Sequence, residues 1–201
     1  MNDDPIRAAL EEWTRDRDQV AARISLFEHV RDLPYCYPAS RDPGEVLARG
    51  QGSCSGKHYL LGELFRRKGV PVRNMICTHR FNESPLPFPE NMQELLRKNE
   101  IVDLHDYLQI QIDGDWVDID ATWEVGLRDF GFPVTEEWDG RSSMLLTVIP
   151  DEHVQLEGDP AHTKEEMLHK LTPRQRTVRK QFLEALAQFV AECSSEISRE
   201  G

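Results

Sequence analysis

The chain has 201 residues, of which 39% are hydrophobic and 30% charged, with a net charge of −12. That apolar share supports a real core and excludes wholesale disorder, and the length fits one domain with a terminal appendage. So acidic a surface repels nucleic-acid phosphates and anionic lipid, and no apolar run reaches the roughly 18 residues of a membrane span, so neither nucleic acid nor membrane is the expected partner.

The first segment, MNDDPIRAALEEW, is acidic and amphipathic and lacks the charged-then-apolar form of an export signal, which places the expected compartment in the cytoplasm. Asp4-Pro5 is a helix start, with Asp as cap and Pro in the first turn. Ile6, Leu10 and Trp13, then Val20, Ile24, Phe27 and Val30, recur at helical spacing across a charged interruption. They predict one bent helix or two short ones. Residues 34–52 form a Pro- and Gly-rich connector with room for a helical turn near Glu45–Ala48. A helix is predicted from Cys54 to Lys68. Its stripe is Leu60, Leu61, Leu64 and Phe65, basic residues occupy its last turn, and Gly69 terminates it. Val70–Thr78 reads as a strand. Residues 79–99 hold three prolines and a short amphipathic helix (Met92, Leu95, Leu96), the composition of an insertion or lid.

Val102–Thr122 is the clearest element. Asp113-Gly114 is a two-residue hairpin turn. Taken literally, it sets Ile112 against Asp115, Ile110 against Val117 and Leu108 against Ile119, with the four apolar side chains on one face. The other face then carries His105, Tyr107, Asp118 and Asp120, with His105 opposite Thr122 and Tyr107 opposite Asp120. His105 and Asp120 become diagonal neighbours about 7 Å apart at the backbone, closer than His105 and Asp118. Further on, Met144–Ile149 reads as a buried strand. Thr172, Pro173 and Gln175 form a capping box that opens a long amphipathic helix through Val178, Phe182, Leu186, Val190 and Ile197. That helix packs on the domain or on a partner, including a second copy as a homodimer. Residues 1–171 are thus read as the main domain and 172–201 as the C-terminal helix.

A histidine oriented by a carboxylate on a rigid hairpin is a general base. Cys54, at the start of a helix where unpaired N–H groups favour thiolate, is the matching nucleophile. Cys36, Cys77 and Cys193 lie in apolar contexts and read as reduced, structural thiols. Asp118 is the rival to Asp120 should a bulge shift the register. Gln51, Tyr107 and Trp123 are candidate substrate-binding residues. Lys57 and His58, one turn along from Cys54, read as surface or satisfied core. Cys77, His79, Asp103 and His105 match no compact metal motif, so no metal or other cofactor is expected.

These residues, in this order, resemble the transglutaminase-like branch of the papain-like cysteine enzymes. The resemblance rests on Gly52-Ser53-Cys54 at a helix start, Gly69-Val70-Pro71-Val72-Arg73 entering a strand, His105 on a strand, and Trp116-Val117-Asp118-Ile119-Asp120-Ala121-Thr122 on the next. Tyr107 stands where the family often has Trp, and Ala121 where it often has Pro. The resemblance implies an α+β fold with the nucleophile helix packed on a small antiparallel sheet, flanked by N- and C-terminal helices. It also implies a Cys54-His105-Asp120 triad. The expected function is acyl transfer from an amide or peptide carbonyl through a thioester, as protease, amidase or transamidase, with a peptide, protein or small amide as substrate. The alternative is a non-catalytic protein- or ligand-binding module on the same scaffold.

Overall fold

The computed structural model describes residues 4–200. Helices α1 (Pro5–Trp13), α2 (Gln19–Arg31), α3 (Pro43–Arg49) and α4 (Cys54–Arg67) precede strand β1 (Val72–Arg80). Helix α5 (Glu90–Lys98), the hairpin β2 (Val102–Ile112) and β3 (Asp115–Ile119), strand β4 (Pro150–Leu156), α6 (Pro160–His169) and α7 (Pro173–Glu200) follow. The strands form one antiparallel sheet in the order β3-β2-β1-β4.

The N-terminal period resolves into two helices, because the chain turns through Asp16 in the left-handed region (φ 57°) between them. Three helices begin alike. Asp4, Asp42 and Asp159 each cap a helix with a side-chain oxygen, and a proline follows in the first turn. The α7 start is a reciprocal capping box: Gln175 N–H donates to Thr172 Oγ1 at 3.2 Å, and Thr172 N–H donates to Gln175 Oε1 at 2.9 Å.

The hairpin pairs as its sequence dictates, Ile112 with Asp115, Ile110 with Val117 and Leu108 with Ile119. Asp113 and Gly114 both take positive φ (53° and 99°), which matches the twist of the strands they join. The paired ladder stops at Ile119, so Asp120 and Thr122 leave the strand instead of continuing opposite Tyr107 and His105.

Leu108, Ile110, Val117 and Ile119 pack with Leu26, Phe27, Val30 and the α4 stripe in a first core. A second core joins Phe81, Phe88 and Met92 to Leu127, Phe132 and the α7 residues Phe182, Leu186 and Val190. The apolar face of α7 therefore packs on this domain, and the segment read as a lid forms part of that core. The Met144–Ile149 strand is not there. These residues run irregularly, with Leu145 90% exposed and Ile149 52% exposed, and the fourth strand is the more polar Pro150–Leu156. The apolar run reaches the sheet instead through Leu146 and Val148, which pack beside Met75, Cys77 and Tyr107. Among the described residues, no helix is long and apolar enough to cross a membrane.

Candidate active site

Cys54 is the first residue of α4, behind the Ser53 cap, whose Oγ accepts from Gly56 N–H at 3.4 Å. The helix start is wedged close to the connector. A Cβ on Gly56 would lie 2.6 Å from Ser40 O and 2.9 Å from Val46 Cγ2, so only glycine permits this approach. Cys54 is partly exposed and lines a cleft of about 620 Å³.

His105 on β2 places Nε2 2.8 Å from Asp120 Oδ2, and its ring lines a small cavity together with Cys54. With Nε2 engaged by the acid, Nδ1 is the nitrogen left for the sulfur. Asp120 is itself held from both sides. Thr122 donates to Oδ1 through N–H at 3.1 Å and Oγ1 at 2.6 Å, and Thr147 donates to Oδ2 through N–H at 2.9 Å and Oγ1 at 3.1 Å. Asp118 instead accepts from Gln109 Nε2 at 3.0 Å, away from the histidine.

The electrostatics follow from this geometry. Burial works against the charge of each member and is outweighed each time. The charge and hydrogen bond of Asp120, joined by Cys54, push His105 up to about 10. His105 and the hydrogen bonds to the carboxylate hold Asp120 well below the usual carboxylate range. The Lys164 charge and the His105 hydrogen bond bring Cys54 below an ordinary thiol. The three groups thus favour thiolate, imidazolium and carboxylate.

Four further groups support the site: Lys57 and His58, for which the sequence suggests surface or core roles, and Lys164 and Asp106, for which it gives no sign. His58 is fully buried. It accepts from Ala121 N–H at Nε2 (2.9 Å), which leaves Nδ1–H to donate to Cys54 O (2.7 Å), so it clamps the backbone at Cys54 to the backbone next to Asp120. The fully buried Lys57 donates to Arg31 O (2.7 Å), Leu33 O (2.9 Å) and Thr122 O (2.7 Å), joining the end of α2 to the same loop. Lys164 of α6 bonds the Asp106 carboxylate and donates to Ser55 Oγ (2.9 Å) and Leu104 O (2.7 Å). Asp106 also accepts from Ser55 Oγ (2.7 Å) and Tyr59 OH (2.8 Å). The i, i+3 and i, i+4 spacing of Cys54, Lys57 and His58 on one helix was the available signal for the first two. Nothing local announces Lys164, which is distant in sequence.

The substrate-binding candidates divide. Trp123 lines a small apolar cavity with Cys54 and His105. Tyr107 does not reach it: its hydroxyl bonds His153 Nδ1 at 2.8 Å, and its ring packs on Met75 and Cys77. Gln51 is exposed beyond the α3 cap and lines neither the cleft nor the cavity, because the loop turns it to solvent. Among the described residues, no cluster of His, Cys, Asp and Glu has the arrangement of a metal site.

The sequence model of the transglutaminase-like superfamily matches residues 8–121, more than half of the chain and all three members of the Cys54-His105-Asp120 group. The chain belongs to the transglutaminase-like superfamily. Its α+β core, with α4 packed on an antiparallel sheet, is the fold of that superfamily. Among solved structures it is similar to a candidate cysteine protease from Cytophaga hutchinsonii, at 18% identity and a TM-score of 0.44, over 63% of this chain and 39% of that one. It is also similar to a TGase, at 15% identity and a TM-score of 0.43, over 62% of this chain and 32% of that one. The chain thus spans well under half the length of either. No curated protein matches the chain. The superfamily match ends at residue 121, so Thr147, Lys164, α6 and α7 lie outside the matched residues.

Proposed function

We propose that this protein is a cysteine-nucleophile acyl-transfer enzyme acting on an amide or peptide carbonyl through a thioester. The observation that carries the reading is the 2.8 Å contact of His105 with a buried, fully hydrogen-bonded Asp120, on the ring that lines a cavity with Cys54. The Cys54 thiolate attacks the carbonyl carbon and forms the C–S bond. The N–H groups of Cys54 and Ser55 at the start of α4, which have no helical acceptor, are available to the developing oxyanion. The His105 imidazolium gives its proton to the departing amine as the C–N bond breaks. In the second half-reaction water or an amine attacks the thioester, His105 takes its proton, and the thiolate leaves. Asp120 orients the imidazole and stabilises its charge throughout. Water as acceptor gives an amidase or peptidase, and an amine gives a transamidase.

Rate-resolved alkylation tests this. Iodoacetamide should modify Cys54 far faster than Cys36, Cys77 or Cys193, with a pH midpoint below the ~8.5 of a free thiol. Cys54→Ala should lose turnover of peptide amides while keeping its thermal midpoint within a few degrees. Equal labelling of all four cysteines, or full activity in Cys54→Ala, would remove the nucleophile and leave the binding-module reading.

A further inference from the structure

The cleft above Cys54 is lined by acids and bases that differ in how far they are engaged. Asp103 Oδ1 accepts from Arg179 Nε at 2.6 Å and from Leu104 N–H at 2.7 Å. Asp159 accepts from the N–H groups of Ala161 and His162 at the start of α6. Glu165 pairs with Arg41 at 3.3 Å. The three protons of Lys164 are all donated. Every lining carboxylate therefore already holds a protein donor.

Arg179 stands apart. It comes from α7, is only 14% exposed, and bonds the protein through Nε alone. Both of its Nη groups are without a protein partner among the described residues, and the side chain opens on the cleft. A guanidinium fixed at Nε presents its Nη edge as a planar fork, the geometry that matches a carboxylate with two parallel N–H···O bonds. Its holder, Asp103, sits two residues before His105 on β2, hence on the same side of that strand and about 7 Å away along it. The fork is thus anchored one strand repeat from the base that serves the attacked carbonyl.

We propose that Arg179, positioned by Asp103, receives a carboxylate of the molecule that Cys54 attacks, so that the acyl donor is an anionic amide or peptide. This rests on Cys54 being the nucleophile. The site explains why a residue of α7 reaches the cleft, and why Asp103 lies buried beside a thiol that favours its negative form. Without a cation there, burial would oppose its charge; Arg179 keeps Asp103 below the usual carboxylate pKa.

Two alkylating agents that differ only in carboxylate against carboxamide, iodoacetate and iodoacetamide, test the site in the full chain. Rates are read at Cys54 by mass spectrometry at neutral pH and low salt. The iodoacetate-to-iodoacetamide ratio should exceed that of a model thiol by about tenfold, the scale of a charge-assisted hydrogen bond. The His105 imidazolium also attracts an anion, so the variants decide. Arg179→Lys keeps the charge and removes the fork, and the double variant Asp103→Asn/Arg179→Gln removes the fork without changing net charge. Both should lower the ratio about tenfold. A ratio that survives in either variant, or that equals the model thiol's in the parent, overturns the carboxylate site. Slow iodoacetamide labelling of Cys54 would instead defeat the nucleophile reading, which separates the two failures.

Discussion

At the scale of single residues, the carboxylate that holds His105 is chosen by its environment and not by its sequence neighbourhood. Asp118 sits within β3, whereas Asp120 lies one residue past its end and leaves the ladder. It enters a pocket where two threonines and His105 supply donors to both oxygens. Exchanging it for an amide turns an all-acceptor site into one that must present N–H groups to N–H donors, and it withdraws the charge that raises His105. Asp120→Asn should therefore lower turnover by about 10²–10⁴-fold and move the pH midpoint of Cys54 alkylation upward. Asp118→Asn, which loses one partly exposed bond to Gln109, should change both by less than about twofold. The pair of profiles measured side by side would place the acid at Asp118 if the ranking came out reversed.

At the scale of elements, what was legible follows from whether a signal is local. The hairpin was readable to the residue because turn chemistry and strand alternation agree on one register. Helix α4 was readable from its glycines, its apolar stripe and its terminal charges. Helices α3 and α6 carry the same Asp-Pro start as α1, a signal that fixes all three once it is recognised. Met144–Ile149 misled because an apolar run says that a segment is sheltered, not that it pairs. Thr147, Lys164 and Arg179 were illegible because each acts across more than twenty residues of chain. The docking of α6 on α4 turns on one such group. Lys164 and Asp106 are both buried, and each keeps its charge against burial chiefly through the other. Lys164→Met should cost about 3–5 kcal/mol in urea unfolding, because it leaves the buried Asp106 charge without its cation. Lys164→Met/Asp106→Asn should recover a large part of that loss. A double variant no more stable than the single one would show that the lysine acts through packing and not through its charge.

At the scale of the molecule, the site lies where two cores meet. Ile119 and Ala121 belong to the core under α4, Trp123 belongs to the core under α7, and Asp120 falls between them. Polar groups at such a junction are sheltered on both sides, and folding stability inherits their titration. His105 and Cys54 act in opposite directions. The histidine, raised to about 10, stabilises fully below its unfolded value near 6.5 and loses this as pH rises; the lowered thiol stabilises at high pH and loses this as pH falls. His79 has no such counterweight. Buried against Phe81, with ring centroids 4.7 Å apart, and facing His105, it is held down to about 4 chiefly by loss of solvent. Between about pH 4 and 6.5 the unfolded chain therefore binds a proton at His79 that the native state refuses, and stability must fall as pH falls, by about 3 kcal/mol across the window. His79→Phe, which keeps a ring among the same aromatic neighbours, should flatten this acid limb by roughly that amount in urea midpoints from pH 4.5 to 7. Asp120 contributes only below its unfolded value near 3.9, outside this range. An acid limb of the same slope in parent and His79→Phe would mean that the histidine takes up its proton without opening the junction, and that the two cores part more easily than their packing implies.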